Sequence, residues 1–414
     1  MNSELFNYIC ELPVIDCHEH LMYPHQRVEE KTGFFDLLHY IQSDMISSGK
    51  IQEKPQNASE FMRGYQSIRS TAYGRMVKIF AEDLYGITEI NERTILKLDD
   101  QVHAHSAKLD CAKKWYKTVF EKMNIKAALA VDDGNFTQDE VIRPIVYLDF
   151  FLRKSQIVYF RNKYKNQSNQ LEDYITYIMN FLKRSREKGM VAGKFGTPYW
   201  HSLKMIEYDE REAKIEYESD SEENPHFESY VFHQILSAFE EMDIPIQFHT
   251  GHVEPSAADL TKYQLGWSDP SCFGAYAMQY PRLKFILLHT GFPFQYEYLS
   301  LIKTYSNLYA DFSWIYIISP TIAGETLIKA IEMIPINKII GFGGDCIHIE
   351  AVYAHLVLAR KVIASAFSEM IQNGYLSIEE AKYNARKLLY ENPRDIYPRV
   401  EESFQGGKAR ETAC

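Results

Sequence analysis

The sequence lacks the features that mark membrane, secreted and nucleic-acid-binding proteins. No uninterrupted apolar run approaches the roughly 18 to 20 residues that span a bilayer, and the opening residues, MNSELFNYIC, hold no basic stretch followed by an apolar one. The six cysteines form no C-x-x-C pair and no disulfide-like spacing. The net charge of -11 is spread along the chain and argues against nucleic acid. We therefore predict a cytoplasmic protein with reduced thiols and with neither membrane nor nucleic-acid partners.

Short apolar runs rich in Val, Ile, Leu and Phe recur along the chain, separated by longer amphipathic segments. Near-continuous apolarity is typical of parallel strands that are covered on both faces. Eight such runs alternating with helical patterns predict an α/β fold, a (β/α)8 TIM barrel. The runs are LPVIDC (12–17), KAALAV (126–131), IRPIVYLDF (142–150), MVAGKF (190–195), IPIQFH (244–249), LKFILLH (283–289), NLYADFS (307–313) and KIIGFGGD (338–345).

The connections between the runs are uneven in length. Roughly a hundred residues with helical periodicity separate the first two runs, and we predict a helical insertion over about 25–122 that caps the carboxyl ends of the strands. Residues 351–397 predict a C-terminal helical segment, in which Ser377 and Glu380 match a capping box. We expect one barrel domain over 1–400 and a disordered tail over 401–414.

Ionisable side chains stand at the ends of several runs. They are His18 and His20 on the first run, His249 on the fifth, His289 on the sixth and Asp345 on the eighth. In a TIM barrel the active site lies at the carboxyl ends of the strands. Positions i and i+2 of a strand point to the same side, so His18 and His20 can share one ion while Glu19 faces away. Each histidine alone would more often be a hydrogen-bonded structural residue, but their common position favours metal ligands.

A second H-x-H in the same chain provides a control. His103 and His105 lie in QVHAHSAKLDCAKKW, a stretch with helical periodicity. On a helix, residues i and i+2 diverge by about 200° and cannot share an ion. We therefore predict that these two histidines, and the nearby Asp99 and Asp100, are not metal ligands.

Lys194, in VAGKFGTPY, is the remaining candidate. A lysine near the end of a buried strand is costly to keep charged, so it should pair, lose its proton or be modified. A neutral amine can add carbon dioxide to become a carbamate that bridges two metals; the alternative is an ion pair with Asp345 or with a substrate anion. The histidines and Asp345 form a mixed N/O set that suits Zn²⁺ and tolerates Mn²⁺, Fe²⁺ or Co²⁺.

The constellation resembles the metal-dependent amidohydrolase superfamily: D-x-H-x-H on the first strand, Lys on the fourth, His on the fifth and sixth, and Asp on the eighth. The segments IDCHEHL, GKFGTPYW, FHTGH, LLHTGFPFQYEYLSLIKTYSNLYADFSW and IGFGGD resemble the amidohydrolase-related branch that includes hydrolase domains fused to glutamine-synthetase-like proteins. Uronate isomerases and decarboxylases are more distant relatives. The resemblance runs from about residue 12 to residue 397, and it departs from that branch where Trp200 and His201 follow Tyr199, since a Tyr-Arg pair is common there.

The resemblance implies a distorted barrel and a ligand set of six residues. His18 and His20 would bind the more buried metal, with Asp345 as ligand and general base and Lys194 as a further ligand. His249 and His289 would serve a second ion, or one of them the single ion and the other the substrate. Asp345 and His289 are thus the predicted catalytic residues.

These observations predict a hydrolase that uses metal-activated water to cleave an amide, lactone or related C–N or C–O bond in a small polar molecule. The alternatives are a metal-dependent enzyme of uronate isomerase or decarboxylase type, and a non-catalytic metal-binding barrel. Aromatic-rich helices are compatible with a homodimer. Residues just beyond the strand ends that could shape the substrate pocket, or equally serve the structure, are Tyr199, Trp200, His252, Glu254, Trp314 and His348.

Overall fold

The computed structural model describes residues 1–132, 136–137, 139–163, 170–219, 221, 223–255 and 257–400. Eight parallel strands are neighbours in one sheet in the order β1 to β8, which makes this a TIM-barrel-like α/β fold. Every predicted apolar run overlaps one strand, so the predicted fold class is confirmed. The strands are β1 (Val14–Glu19), β2 (Ile125–Asp132), β3 (Ile142–Tyr147), β4 (Ala192–Phe195), β5 (Ile246–Phe248), β6 (Phe285–Leu287), β7 (Leu308–Asp311) and β8 (Ile339–Ile340).

The described part of the chain also forms α-helices, joined in places by short 3-10 turns. They are α1 (Ser3–Glu11), α2 (Pro24–Glu29), α3 (His39–Ser47), α4 (Ala58–Ile68), α5 (Ala72–Tyr85), α6 (Glu92–Ser106), α7 (Leu109–Met123), α8 (Lys154–Lys163), α9 (Leu171–Glu187), α10 (Glu210–Glu218), α11 (Pro225–Met242), α12 (Phe273–Gln279), α13 (Gln295–Thr304), α14 (Ile315–Ile318), α15 (Pro320–Met333), α16 (Ile349–Gln372), α17 (Ile378–Arg386) and α18 (Asn392–Ile396).

Local sequence signals explain where many of these helices begin. The side chains of Asn57, Thr71 and Ser319 accept hydrogen bonds from the first turns of α4, α5 and α15, which satisfies amides that have no partner within the helix. Ser377 and Glu380 form the predicted capping box of α17. Helices α2 to α7 fill the connection between β1 and β2, as the sequence predicts. The predicted disordered tail, 401–414, lies outside the described residues.

The chain divides into two compact units. Unit 1 comprises Met1–Ala130, Glu254–Ala257 and Phe312–Pro393. It contains β1, β8, the helical insertion and helices α14 to α17. All six residues of β1 are buried, as expected for a strand that is covered on both faces.

Unit 2 comprises Val131–Val253, Ala258–Asp311 and Arg394–Cys414. It contains strands β3 to β7, in which neighbours pair in parallel, and helices α8 to α13. Strands β5 and β6 are buried throughout. Both are short, so that His249 and His289 follow the strand ends rather than lie within the strands. The prediction of one domain over 1–400 stays a prediction.

Helix α16 has the length and composition of a membrane span, which inspection of uninterrupted apolar runs misses because charged residues interrupt the helix. However, 72% of its most apolar 18-residue window is buried inside the fold. Such burial is typical of a core helix.

Candidate metal centre

Strand β1 carries an irregularity at the point where the first two candidate ligands lie. Asp16 pairs with Ala128 and Glu19 with Ala130, so β1 holds one more residue than β2 over this interval. An extra residue of this kind is a β-bulge, which bends the strand and re-aims its side chains. His18 is fully buried, whereas the His20 side chain, just past the strand, is 43% exposed.

His18, His20 and Asp345 converge in unit 1. Oδ1 of Asp345 lies 3.3 Å from Nε2 of His18 and 3.6 Å from Nε2 of His20. One ligand atom from each of the three residues lies within 4.8 Å of the others. Two imidazoles and a carboxylate form a donor set that divalent transition metals accept, so this cluster is a possible His-His-Asp metal site.

Asp345 reaches this position from a loop that follows β8. Its φ is +54°, in the left-handed region that residues with a side chain rarely adopt. The hydroxyl of Tyr40, on α3, donates a hydrogen bond to the main-chain oxygen of Asp345. Sequence reasoning missed Tyr40 because its segment, FFDLLHYI, shows only helical periodicity.

Asp16 and Glu19, on β1, contact the loop that carries Asp345. Both side chains are fully buried, and Oδ2 of Asp16 and Oε1 of Glu19 are buried atoms with no hydrogen-bond partner among the described residues. Burial raises the pKa of Asp16 to about 6, and burial together with the neighbouring Asp16 raises the pKa of Glu19 well above its usual range. Each carboxyl group also accepts a backbone N–H of the loop that carries Asp345.

Lys194, His249 and His289 belong to unit 2. Lys194 lies on β4 and is 2% exposed. The Nε2 of His289 and Nδ1 of His249 are 3.0 Å apart, and Nε2 of His249 lies 2.7 Å from the main-chain oxygen of His252. A carbonyl only accepts, so a neutral His249 carries its proton on Nε2 and accepts from His289 through Nδ1. That Lys194 and these histidines bind metal stays a prediction.

The two His-Thr-Gly segments explain how these histidines meet. His289, Thr290 and Gly291 all have positive φ, as does Gly251 with φ +78°. A Cβ at Gly251 would lie 2.2 Å from the main-chain oxygen of Phe292. Gly251 is therefore required for a close approach between the two loops, which brings His249 next to His289.

The predicted pocket residues of unit 2 have defined contacts. The ring of Tyr199 meets that of His249 edge-on at 4.7 Å. Nε1 of Trp200 donates to Oδ1 of the buried Asp149 at 2.9 Å, a partner that the sequence analysis did not single out. Burial lowers the pKa of His252.

The predicted pocket residues of unit 1 are all buried. Trp314 stacks on Tyr40 with 5.2 Å between ring centroids. Glu254 accepts a hydrogen bond from the Ser43 hydroxyl. Burial lowers the pKa of His348 to about 4. Their role in substrate binding stays a prediction.

The other H-x-H lies on a helix, as predicted. His103 and His105 lie on α6. His105 stacks on Trp115 at 3.8 Å, and Nε2 of His103 lies 3.6 Å from Asp99. Among the described residues, these histidines form no ligand cluster of three.

The chain is similar to several known proteins. A family model described as Amidohydrolase matches residues 185–399, more than half of the chain. Protein fluG of Emericella nidulans is 26% identical over 159 residues, a stretch that covers 38% of this chain and 18% of that protein. The chain thus matches less than a fifth of the length of this curated relative.

Solved structures with a similar fold extend over nearly the whole chain. A uronate isomerase from Thermotoga maritima (TM-score 0.74, 16% identity) covers 95% of this chain and 96% of its own. A glucuronate isomerase from Caulobacter crescentus (TM-score 0.75, 15% identity) covers 95% and 93%. A candidate metal-dependent hydrolase from Lactobacillus casei (TM-score 0.69, 16% identity) covers 96% and 98%. At these identities the likeness extends to the fold alone.

Proposed function

Because this chain belongs to the amidohydrolase family, whose enzymes are metal-dependent, we propose that it is a hydrolase with Asp345 as its general base. It would cleave an amide, lactone or related C–N or C–O bond in a small polar molecule. The observation that carries the proposal is the convergence of Asp345 with His18 and His20. A histidine-bound ion and a base are the two parts that such hydrolysis requires.

A divalent metal, Zn²⁺ in this proposal, would be held by His18, His20 and Asp345. When bound, it supplies Lewis acidity, which lowers the pKa of water and polarises a carbonyl oxygen. Asp345 accepts a proton from the attacking water and then delivers it to the leaving nitrogen or oxygen, so that the carboxylate is regenerated. Its buried position, 5% exposed, supports this role because low solvent access limits competing proton exchange.

His249, His289 and Lys194, in unit 2, keep in this proposal the roles predicted for them from the sequence. His249 and His289 would hold a second ion or orient the substrate, with His289 acting in catalysis. For Lys194, the carbamate and the ion-paired amine remain two alternatives. Electron density at its Nζ distinguishes them, because a carbamate adds one carbon and two oxygen atoms to the amine nitrogen.

The test combines metal analysis with a substrate screen. We expect protein purified without chelators to contain one or two transition-metal ions per chain. Lactones, N-acyl amino acids and uronates are then offered to the wild type and to Asp345→Asn. We expect hydrolysis of a lactone or amide, and a fall in kcat of about a hundredfold or more in the variant. Asp100→Asn, an exposed carboxylate on α6, is the matched control and should retain full activity. Undiminished hydrolysis by Asp345→Asn would remove Asp345 as the base.

Isomerisation of a sugar acid is a second candidate. The similarity of fold to two uronate isomerases motivates it, and a cation near Trp200 favours it. The guanidinium of Arg153 lies 5.1 Å from the centre of the Trp200 ring and could pair with a substrate carboxylate. If uronates are the substrates, Arg153→Ala should raise KM for them more than tenfold with a smaller change in kcat. Isomerised uronate with no hydrolysis of any lactone or amide would replace the first proposal by the second.

A further inference from the structure

The loop after β8 holds Asp345, the candidate general base, in a strained backbone conformation. Strand β8 ends at Ile340, and residues 341–346 form no helix or strand. Within this loop Asp345 has φ +54°. For a residue with a side chain, such a conformation persists only when the surroundings enforce it.

Strand β1 provides that enforcement through three successive hydrogen bonds. The N–H of Gly344 donates to Oδ1 of Asp16 at 3.0 Å. The N–H of Asp345 donates to the main-chain oxygen of His18 at 2.8 Å. The N–H of Cys346 donates to Oε2 of Glu19 at 2.6 Å. Each amide from 344 to 346 thus has an acceptor from β1, and the acceptors on either side of Asp345 are buried carboxyl groups.

The carboxyl groups fit closely against the loop. A Cβ at Gly344 would lie 1.9 Å from Oε1 of Glu19. A Cβ at Gly343 would lie 2.0 Å from Oγ of Ser313 and 3.0 Å from the main-chain nitrogen of His18. The two glycines therefore allow β1 and the loop to approach to hydrogen-bonding distance.

We propose that Asp16 and Glu19 are positioning residues, which hold the main chain of Asp345 so that its carboxylate meets His18 and His20. This proposal rests on the proposed function, in which Asp345 is a metal ligand and the general base. Strand β1 and the residue that follows it would supply both parts of the arrangement. The imidazoles of His18 and His20 face the carboxylate of Asp345, and the carboxyl groups of Asp16 and Glu19 hold the peptides on either side.

Replacement of Glu19 separates positioning from simple packing. Glu19→Gln keeps an oxygen that accepts the Cys346 N–H, and its amide can donate to Asp16. Glu19→Leu keeps a similar volume but removes the acceptor. Glu19→Asp withdraws the carboxylate by about one C–C bond, about 1.5 Å, and serves if the leucine variant does not fold. Asn392→Ala is the matched control, because the Asn392 amide donates to the main-chain oxygens of Ile336 and Ile339 at the other end of β8.

The first measurement is binding of Co²⁺ alone, followed by its visible absorption. Loss of a group that orients a ligand commonly weakens metal binding by about tenfold to a hundredfold. We expect that loss for Glu19→Leu or Glu19→Asp, and less than about a threefold change for Glu19→Gln and Asn392→Ala. Asn392→Ala should unfold at a lower denaturant concentration with an unchanged cobalt spectrum. Wild-type affinity and spectrum in Glu19→Leu, or equal losses in the Gln and Leu variants, would overturn the proposal.

The second measurement is the crystal structure of metal-free Glu19→Leu, or of Glu19→Asp in its place. We expect φ of Asp345 to leave the left-handed region and Oδ1 to move away from Nε2 of His18. An unchanged loop would overturn the positioning role. Should the wild type bind no Co²⁺, the proposed function fails, and this crystal structure still decides whether Glu19 sets the conformation of Asp345.

Discussion

At the residue scale, Arg27 and Glu350 form an ion pair in unit 1 with no solvent exposure on either side chain. Two guanidinium nitrogens reach the two carboxylate oxygens at 2.9 and 2.7 Å. The hydroxyl of Tyr85 and Nε1 of Trp115 also donate to Glu350, at 2.7 and 2.9 Å. These contacts join the helical insertion to the start of α16, a few residues after Asp345.

Glu350→Gln should destabilise the protein because it leaves the Arg27 charge buried without a counter-ion. Breaking a buried pair in this way costs about 3 to 5 kcal/mol. Chemical denaturation at pH 7 measures the loss. Lys382→Gln, which removes exposed ion pairs with Glu4 and Glu379, should change stability by less than about 1 kcal/mol. Equal stability of wild type and Glu350→Gln would mean that this buried charge pair contributes nothing to the free energy of unfolding.

The same variant should reveal a pH dependence. Burial alone would raise the pKa of Glu350, but the Arg27 guanidinium outweighs it and lowers the pKa from 4.5 to about 2. A carboxyl whose pKa is lower in the folded protein stabilises it fully above the unfolded value, and that contribution is lost as pH falls toward the folded value. The stability difference between wild type and Glu350→Gln should therefore be constant above about pH 5 and narrow below about pH 4.5. A difference that widens with acidification would contradict the direction of this shift.

Gly344→Ala should disturb the candidate metal centre rather than the fold as a whole. The added Cβ would meet Oε1 of Glu19 at 1.9 Å, so the carboxyl group has to leave the Cys346 N–H. We expect Co²⁺ affinity to fall by about tenfold or more. Gly324→Ala, within α15, places its Cβ 3.5 Å from Cγ1 of Val362, an ordinary contact. It should leave binding unchanged and stabilise the helix by up to about 1 kcal/mol.

At the element scale, two irregularities bring the candidate ligands together. The β-bulge in β1 adds a residue between Asp16 and Glu19, and His18 lies in that interval. In unit 2, the loops after β5 and β6 turn through residues with positive φ, including His289 and Gly251. In each case the candidate ligand lies where the regular strand is interrupted or has ended.

Gly251→Ala tests the second of these irregularities. Gly251 combines φ +78° with 2.2 Å from its would-be Cβ to the main-chain oxygen of Phe292. Because that neighbour is backbone, relief requires the loops to separate, and we expect a loss of about 1 to 3 kcal/mol in denaturant unfolding. Gly266→Ala, whose Cβ meets no atom within 4 Å, is the control in the same unit. Matching unfolding midpoints for the two variants would show that the close approach is not needed.

At the scale of the whole molecule, a bound metal should raise thermal stability by mass action. Free Zn²⁺ at a hundred times its Kd adds about 2.7 kcal/mol. For a chain of this length that corresponds to about 3 °C in Tm. Treatment with a chelator should lower Tm, and Zn²⁺ should restore it.

The two H-x-H pairs supply the control for that measurement. His18→Gln should lose most of the Zn²⁺-dependent shift, whereas His103→Gln, on α6, should retain it. The quantity compared is the shift within each variant, which removes any change in intrinsic stability. A full shift in His18→Gln would place the ion elsewhere.

Sequence patterns predicted the strands because apolar runs follow from local periodicity, and they predicted that three candidate ligands converge because each of the three lies at the carboxyl end of a predicted barrel strand. Apolar runs identify strands. Both histidine pairs have i, i+2 spacing, and it is the strand context of His18 and His20, against the helical context of His103 and His105, that distinguishes them. The bulge in β1, the left-handed Asp345 and the contact from Tyr40 were not predictable in this way. They depend on residues far apart in sequence, and no local pattern records such pairing. The mutual hydrogen bond of His249 and His289 was missed for the same reason.

The hydrogen bonds from β1 to the loop after β8 join positions 328 and 327 residues apart. A ribosome therefore releases His18 and His20 long before Asp345 exists. Contacts of such separation form late in folding, since the intervening chain has to be ordered or closed into a loop first. A nascent chain offers two imidazoles without the carboxylate, so an ion held by all three side chains, as proposed, would be captured only when synthesis is nearly complete. Because the candidate ligands lie at the ends of the first and the last strand, the candidate metal centre can assemble only after the last strand has been synthesised.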